Sequence, residues 1–171
     1  MSNKKHYVLV SVTLGAIAAA SALLIAGTNM LTKDKIRENE IKKVHSGIAS
    51  IFGEKAEVSK ESKIDNSKYE YVEYVYEVKD SGYVFRTTGS NMYGKISLII
   101  GFNYANEFVA LSTITNEQTY ASTLDKNYLD LVNQGKRDID DVSCGATYGA
   151  KLVRDMINEA KLASEEKVWT K

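Results

Sequence analysis

The residues whose types and spacing could do chemistry lie late in the chain, at 141–150: Asp-Val-Ser-Cys-Gly-Ala-Thr-Tyr-Gly-Ala. This stretch joins a polar loop to the last amphipathic segment. Ser143 reads as an N-cap, since its hydroxyl can accept from an unpaired amide of a first helical turn. Gly145 and Ala146 carry almost no side chain, so a large planar ligand could approach the backbone there. Thr147 then falls in the first turn, where free amides and the helix dipole favour a phosphate. A hydroxyl held beside a phosphate site is an unusual arrangement, and the other elements have to position it. The competing reading is an ordinary helix start built from small residues.

Length and composition bound what those elements can be. The chain has 171 residues, 44% hydrophobic and 26% charged, with a formal net charge of zero. That suits one globular domain plus an extra element. Balanced charge argues against nucleic acid, which wants a basic face. The single cysteine, Cys144, excludes an internal disulfide and a multi-cysteine metal site. His6 and His45 are far apart and read as solvated helix residues, so no metal is expected. The chain has no proline. It also has no Walker-type glycine loop, no Gly-x-Gly-x-x-Gly and no Ser/His/Asp constellation.

Residues 1–6 are short and basic, with Lys4 and Lys5. Residues 7–31 carry no charge; about 37 Å of helix at this length is enough to cross a hydrocarbon core of about 30 Å. Its small residues, Gly15, Ala16, Ala18, Ala19, Ala20 and Ala22, suit close helix packing, but the Ala18–Ala22 region also offers signal-peptidase sites. The apolar run continues past those sites, which favours a retained anchor. Lys4 and Lys5 on one side oppose Lys33, Lys35, Arg37, Lys42 and Lys43 on the other, so charge leaves the topology open.

Residues 32–53 read as a connecting helix, with Thr32 as N-cap, Gly53 as stop, and Ile41, Val44, Ile48 and Ile51 on one face. Residues 54–68 read as a polar loop. Four strands follow. Val72, Tyr74, Tyr76 and Val78 alternate with Glu73 and Glu77. Tyr83, Phe85 and Thr87 alternate with Val84 and Arg86. Ile96, Leu98, Ile100 and Phe102 alternate around an apolar Ile99, which suggests burial of both faces. Phe108, Ala110, Ser112 and Ile114 make the last. Short turns between them indicate an antiparallel meander. Residues 127–134 read as a short helix ended by Gly135. Lys136 and Arg137, in the loop that follows, could neutralise a phosphate or simply be solvated. Beyond Thr147, Leu152, Val153, Met156, Ile157, Ala160 and Ala163 form an apolar stripe that packs a final helix on the sheet. Trp169 reads as an edge position. The fold class expected is α+β: an antiparallel sheet packed with helices, plus one N-terminal transmembrane helix.

Asp141, Gly145, Ala146 and Thr147 resemble the Asp-x-x-Ser/Thr-Gly-Ala-Thr signature of FMN-binding domains whose threonine carries FMN through a phosphodiester bond. Cys144 stands where that family usually has Ser or Thr, and Gly149 where a second Thr or Ser is common. Tyr93-Gly94-Lys95-Ile96 resembles the family's Gly-Tyr-x-Gly-x-Ile segment. Residues 116–121 sit where the family has a His-x-Glu-Thr-Pro-Gly loop near the flavin. There Thr119 matches, Gln118 replaces Glu, and Tyr120 and Ala121 replace Pro and Gly. The apolar span, the following Leu-Thr-Lys-Asp-Lys-Ile and the helix ending Ile51-Phe52 are similar to the N-terminal region of RnfG and NqrC subunits. Those are flavin subunits of ion-translocating electron-transport complexes.

The resemblance implies FMN bonded covalently to Thr147 and installed by a flavin transferase with FAD as donor. Asp141, Ser143, Cys144, Gly145 and Ala146 would shape its surroundings, with Thr119 and Gln118 nearby. Cys144 lacks an obvious base and would be a structural or flavin-adjacent thiol. It also implies a cytoplasmic tail at 1–6, a span at 7–31, a connecting helix at 32–53 and an extracytoplasmic FMN-binding domain at 54–171. The protein would be a single-pass redox subunit in the cell membrane with other membrane subunits as partners, its enzymatic activity belonging to the complex. Two alternatives stay open: a stand-alone tethered flavoprotein carrier, and an extracytoplasmic binding module without cofactor.

Overall fold

The computed structural model describes residues 2–65, 67–167 and 169. The side chains of residues 2–6, 30, 31, 33, 34 and 37 are outside that description, so the readings of Lys4, Lys5, His6, Lys33, Asp34 and Arg37 lie outside the described residues. The chain divides into two units, Met1–Lys42 and Lys43–Lys171.

Helix α1 covers Ser2–Phe52. The sequence suggests a new start at Thr32, but the helix passes through it. Thr32 does not cap anything: its Oγ1 donates to the Thr28 carbonyl one turn back, at 2.8 Å. A threonine can satisfy its hydroxyl this way inside a helix, and no proline interrupts the run. Within the first unit, Tyr7–Asn29 spans 23 residues, long and apolar enough to cross a membrane. At 1.5 Å per residue this is about 35 Å, compatible with a single-pass anchor. Ile41, expected on the buried face, is exposed.

The second unit is α+β. Five strands, β1 (Val58–Lys63), β2 (Val72–Val78), β3 (Gly82–Asn91), β4 (Gly94–Asn103) and β5 (Phe108–Asn116), form one antiparallel sheet in the order 1-2-3-4-5. Four of these match the meander read from alternation. The fifth, β1, lies in the stretch read as a polar loop. It is an edge strand of sequence Val-Ser-Lys-Glu-Ser-Lys, mostly exposed, so it shows no apolar period. Charged residues on an edge also discourage pairing with other chains.

The sheet is buried on both faces. On one, the second unit's part of α1 contributes Val44 and Ile48, packed with Tyr76, Val78, Val84, Ile99 and Ile114. On the other, α4 (Thr147–Glu166) contributes Leu152, Val153, Met156, Ile157, Ala160 and Ala163 against Val72, Val75, Phe85, Leu98 and Ile100. The simple alternation expected for β2 fails at one point. A register shift between Val72 and Tyr74 puts Val72 and Val75 on the α4 face and Tyr76 and Val78 on the α1 face. A bulge inserts one residue and flips everything after it.

Between β5 and α4 the chain forms α2 (Ala121–Leu124), a wide π turn (Asp125–Leu129) and α3 (Asp130–Asn133). Helical structure therefore starts six residues before the expected Asn127. Leu124, Tyr128, Leu129 and Val132 are buried from this segment. Gly135, at φ +65, ends it as expected. Glu159 locks α4 along the sheet. Its carboxylate accepts from three successive amides entering β2: Glu70 at 3.0 Å, Tyr71 at 2.6 Å and Val72 at 2.9 Å. Trp169 rests on Tyr83 and Phe85, centroids 4.8 and 5.4 Å away.

Candidate functional site

A cavity of about 280 Å³ opens where α4 begins, lined by Tyr93, Gln118, Tyr120, Leu124 and residues 145–149. Three segments build it, and each is fixed by bonds that the sequence pattern did not reveal.

The first is the loop ahead of α4. Arg137 is neither solvated nor aimed at a phosphate. Its Nη1 donates to the carbonyls of Asp141 (2.9 Å) and Ser143 (3.1 Å) and pairs with the Asp141 carboxylate at 3.1 Å. The other Asp141 carboxylate oxygen accepts from the Ser143 amide at 3.3 Å, an Asx turn. Below, Asn127 Nδ2 donates to the Cys144 carbonyl at 3.2 Å, and the Tyr128 hydroxyl donates to the Ile139 carbonyl. Burial raises the Tyr128 phenol well above its ordinary range, so it stays a neutral donor. Cys144 and Ala146 are buried, which pins the loop from inside.

The second is the start of α4. Ser143 was expected to cap it, but the helix begins four residues later, at Thr147, with Ala146 as the preceding residue and no side-chain cap bond. Gly145 explains the delay. Its φ of +83 is a left-handed conformation that ends any earlier helical course and favours glycine. Thr147 is thus the first helical residue. The amides of a first turn have no partner within their own helix, so a phosphate oxygen could complete them.

The third is the facing wall. Gln118 is buried, and its Nε2 donates to the Gly94 carbonyl, leaving Oε1 on the side of Gly149. Thr119 is exposed, and both its amide (2.8 Å) and its Oγ1 (3.1 Å) donate to the Tyr93 carbonyl. The Asn91 side chain ties this wall to α4: its Oδ1 accepts from the Tyr93 amide at 2.8 Å and its Nδ2 donates to the Tyr148 carbonyl at 3.1 Å.

Of the residues singled out in the sequence, Gln118, Gly145, Ala146 and Thr147 therefore meet around the cavity. Asp141 and Ser143 sit in the loop that presents them, Cys144 lies in the core beneath, and the Thr119 hydroxyl is spent on the wall itself. The sequence alone did not mark Tyr93, Tyr120, Leu124, Tyr148 or Gly149 as lining residues. Gly149 carried a signal in its departure from the family pattern. A β-carbon there would lie 2.9 Å from Leu124 Cδ2.

Among the described residues, no charged side chain lines the cavity, and no cluster of His, Cys, Asp and Glu could hold a metal. The nearby cation is Lys151, its Nζ 5.8 Å from the Tyr148 ring centroid. An uncapped helix start with a hydroxyl in its first residue could hold a phosphate group.

Residues 1–51 match the family described as the RnfG N-terminal region. That match covers nearly all of α1 and stops before the sheet. No curated protein matches the chain.

Proposed function

We propose that this chain, whose N-terminal match supports the RnfG/NqrC-type family, is a membrane-anchored electron-transfer subunit carrying FMN covalently on Thr147. The match suggests an Rnf/Nqr-type subunit, and such proteins work within a multi-subunit electron-transport complex. The observation that carries the cofactor assignment is Thr147 itself: the first residue of an uncapped helix, in the wall of an uncharged cavity. Attachment by a flavin transferase would join Thr147 Oγ1 to the flavin-side phosphate of FAD, release AMP and free the hydroxyl proton.

FMN supplies reversible electron transfer when bound, and the protein's part is placement. The amides at the start of α4 would hold the phosphate, Gly145 would let it approach the backbone, and Gln118 would offer its amide oxygen from the facing wall. The apolar helix would keep the subunit beside its membrane partners. The domain after it lies outside the cytoplasm on this reading, where a covalent bond keeps a soluble cofactor from being lost.

The test is coexpression with a flavin transferase, followed by intact mass and in-gel fluorescence. The wild-type chain should gain the mass of one FMN less water and fluoresce. Thr147→Ala should do neither, while Thr119→Ala should keep the bond. A colourless wild-type protein of unmodified mass, made beside a transferase active on another substrate, would overturn the assignment.

A further inference from the structure

We propose that Tyr93, Tyr120 and Tyr148 form an aromatic rim on which the flavin ring lies, with one face of the ring left to solvent. This rests on FMN being carried by Thr147. The first argument is size. The cavity, about 280 Å³, is at the lower edge of the roughly 300–1,000 Å³ that small-molecule sites enclose. With the phosphate at the start of α4, the ribityl chain takes up space within it. The three-ring system then has to lie across the mouth.

The second argument is what the mouth is made of. Tyr120 and Tyr148 are 54% and 59% exposed, unusual for two large rings beside one opening. Tyr93 stands between them, with centroids 6.0 Å from Tyr120 and 5.4 Å from Tyr148. Scattered exposed aromatics need no explanation, but a contiguous group around a cavity marks a ligand surface. The ring planes differ by 56° and 39°, so the group is a shallow cradle rather than a closed stack, open to a planar guest.

The third argument is rigidity. One side chain, Asn91, holds the backbone at both Tyr93 and Tyr148. Two of the three rim residues are therefore held at the backbone before any ligand arrives, which lowers the ordering cost of binding. Lys151, one turn along α4 and near the Tyr148 ring, adds a cation at the same edge and favours extra negative charge on the flavin. An open face gives a neighbouring redox centre access to the ring, as an electron carrier requires.

The experiment uses the full chain bearing FMN. Mass reports attachment; visible circular dichroism and fluorescence anisotropy report how the ring is held. Tyr120→Leu/Tyr148→Leu should keep the FMN mass but lose most of the flavin circular dichroism and anisotropy. Each lost ring contact should shift the held-to-free ratio roughly 2- to 10-fold, the range for aromatic pairs. Tyr120→Phe/Tyr148→Phe should retain both signals. If wild type gains no FMN, the cofactor assignment fails. If wild type gains it and the double Leu variant keeps wild-type signals, the rim is refuted while the cofactor assignment stands. A folded double Leu variant that gains no FMN also refutes the rim, because it assigns these rings to attachment.

Discussion

Gly149→Ala sets two effects of known size against each other at the edge of the cavity. Alanine is a better helix former than glycine by about 1 kcal/mol in a helix interior, and less than that in a first turn. Against this stands the packing. The new β-carbon would lie 2.9 Å from Leu124 Cδ2, 3.5 Å from its Cδ1 and 3.4 Å from Gln118 Oε1. Leu124 has no exposed surface, so it cannot swing into solvent to make room. Overpacking of this kind costs about 1–3 kcal/mol. Overlap should win, leaving a net loss of about 1–2 kcal/mol. For a domain of this size that is a fall in Tm of roughly 3–6 °C, measured by thermal unfolding of the full chain in detergent. The decisive control is Leu124→Ala. With the leucine shortened, Gly149→Ala should cost nothing or stabilise, a coupling of about 1–3 kcal/mol. If Gly149→Ala is neutral in the wild-type background, or costs the same in both, α2 and α4 are not in the close contact described and the cavity wall has a different shape.

Three further outcomes test the supports of the site. Glu159→Ala removes the acceptor of three amides; with water able to serve Glu70, about 3–5 kcal/mol should be lost, read as a lower urea midpoint, and a change under 1 kcal/mol would refute the clamp. Arg137→Ala releases the Asp141 and Ser143 carbonyls, so FMN attachment should slow several-fold while unfolding shifts by about 1 kcal/mol, followed by mass over time. Stability should also fall at high pH. Burial pushes Tyr76 from 10.0 up to about 12 and raises Tyr128 too. Because these folded values lie above the unfolded one, the contribution is complete below pH 10.0 and lost as pH rises toward about 12. Tyr128→Phe should flatten that alkaline decline in Tm.

How much of this was legible in the sequence depended on whether a residue's partner was periodic. The stripe from Leu152 to Ala163 and the double-sided β4 could be read because burial repeats along the element. β1 could not, because its place comes from backbone pairing with β2 and its side chains are wet. The bulge at β2 was invisible for a related reason: Val72, Tyr74, Tyr76 and Val78 alternate perfectly on paper, and only the register shift divides them between two cores. Gly145, Ala146 and Thr147 stand out by their types, and the structure places them around the cavity. The start of α4 was misplaced because Ser143 is a good cap by composition, whereas a left-handed Gly145 decides where the helix can begin. Arg137 acts on backbone carbonyls of the motif itself and Glu159 on amides far from it, and in neither case does a long polar side chain leave a mark that tells clamping from solvation.

The two residues that break the signature can be understood from packing. Cys144 is buried in the core cluster under the loop, with Asn127 holding its carbonyl. A hydroxyl there would need a partner of its own, whereas a thiol fills the space as a small apolar group. Gly149 is set by Leu124, since any larger residue meets a side chain that has nowhere to go. The Arg137 staple holds the loop ahead of α4, and the Glu159 clamp ties α4 to the start of β2. Where α4 begins, and so where the Thr147 hydroxyl stands, therefore depends on these bonds as well as on Gly145.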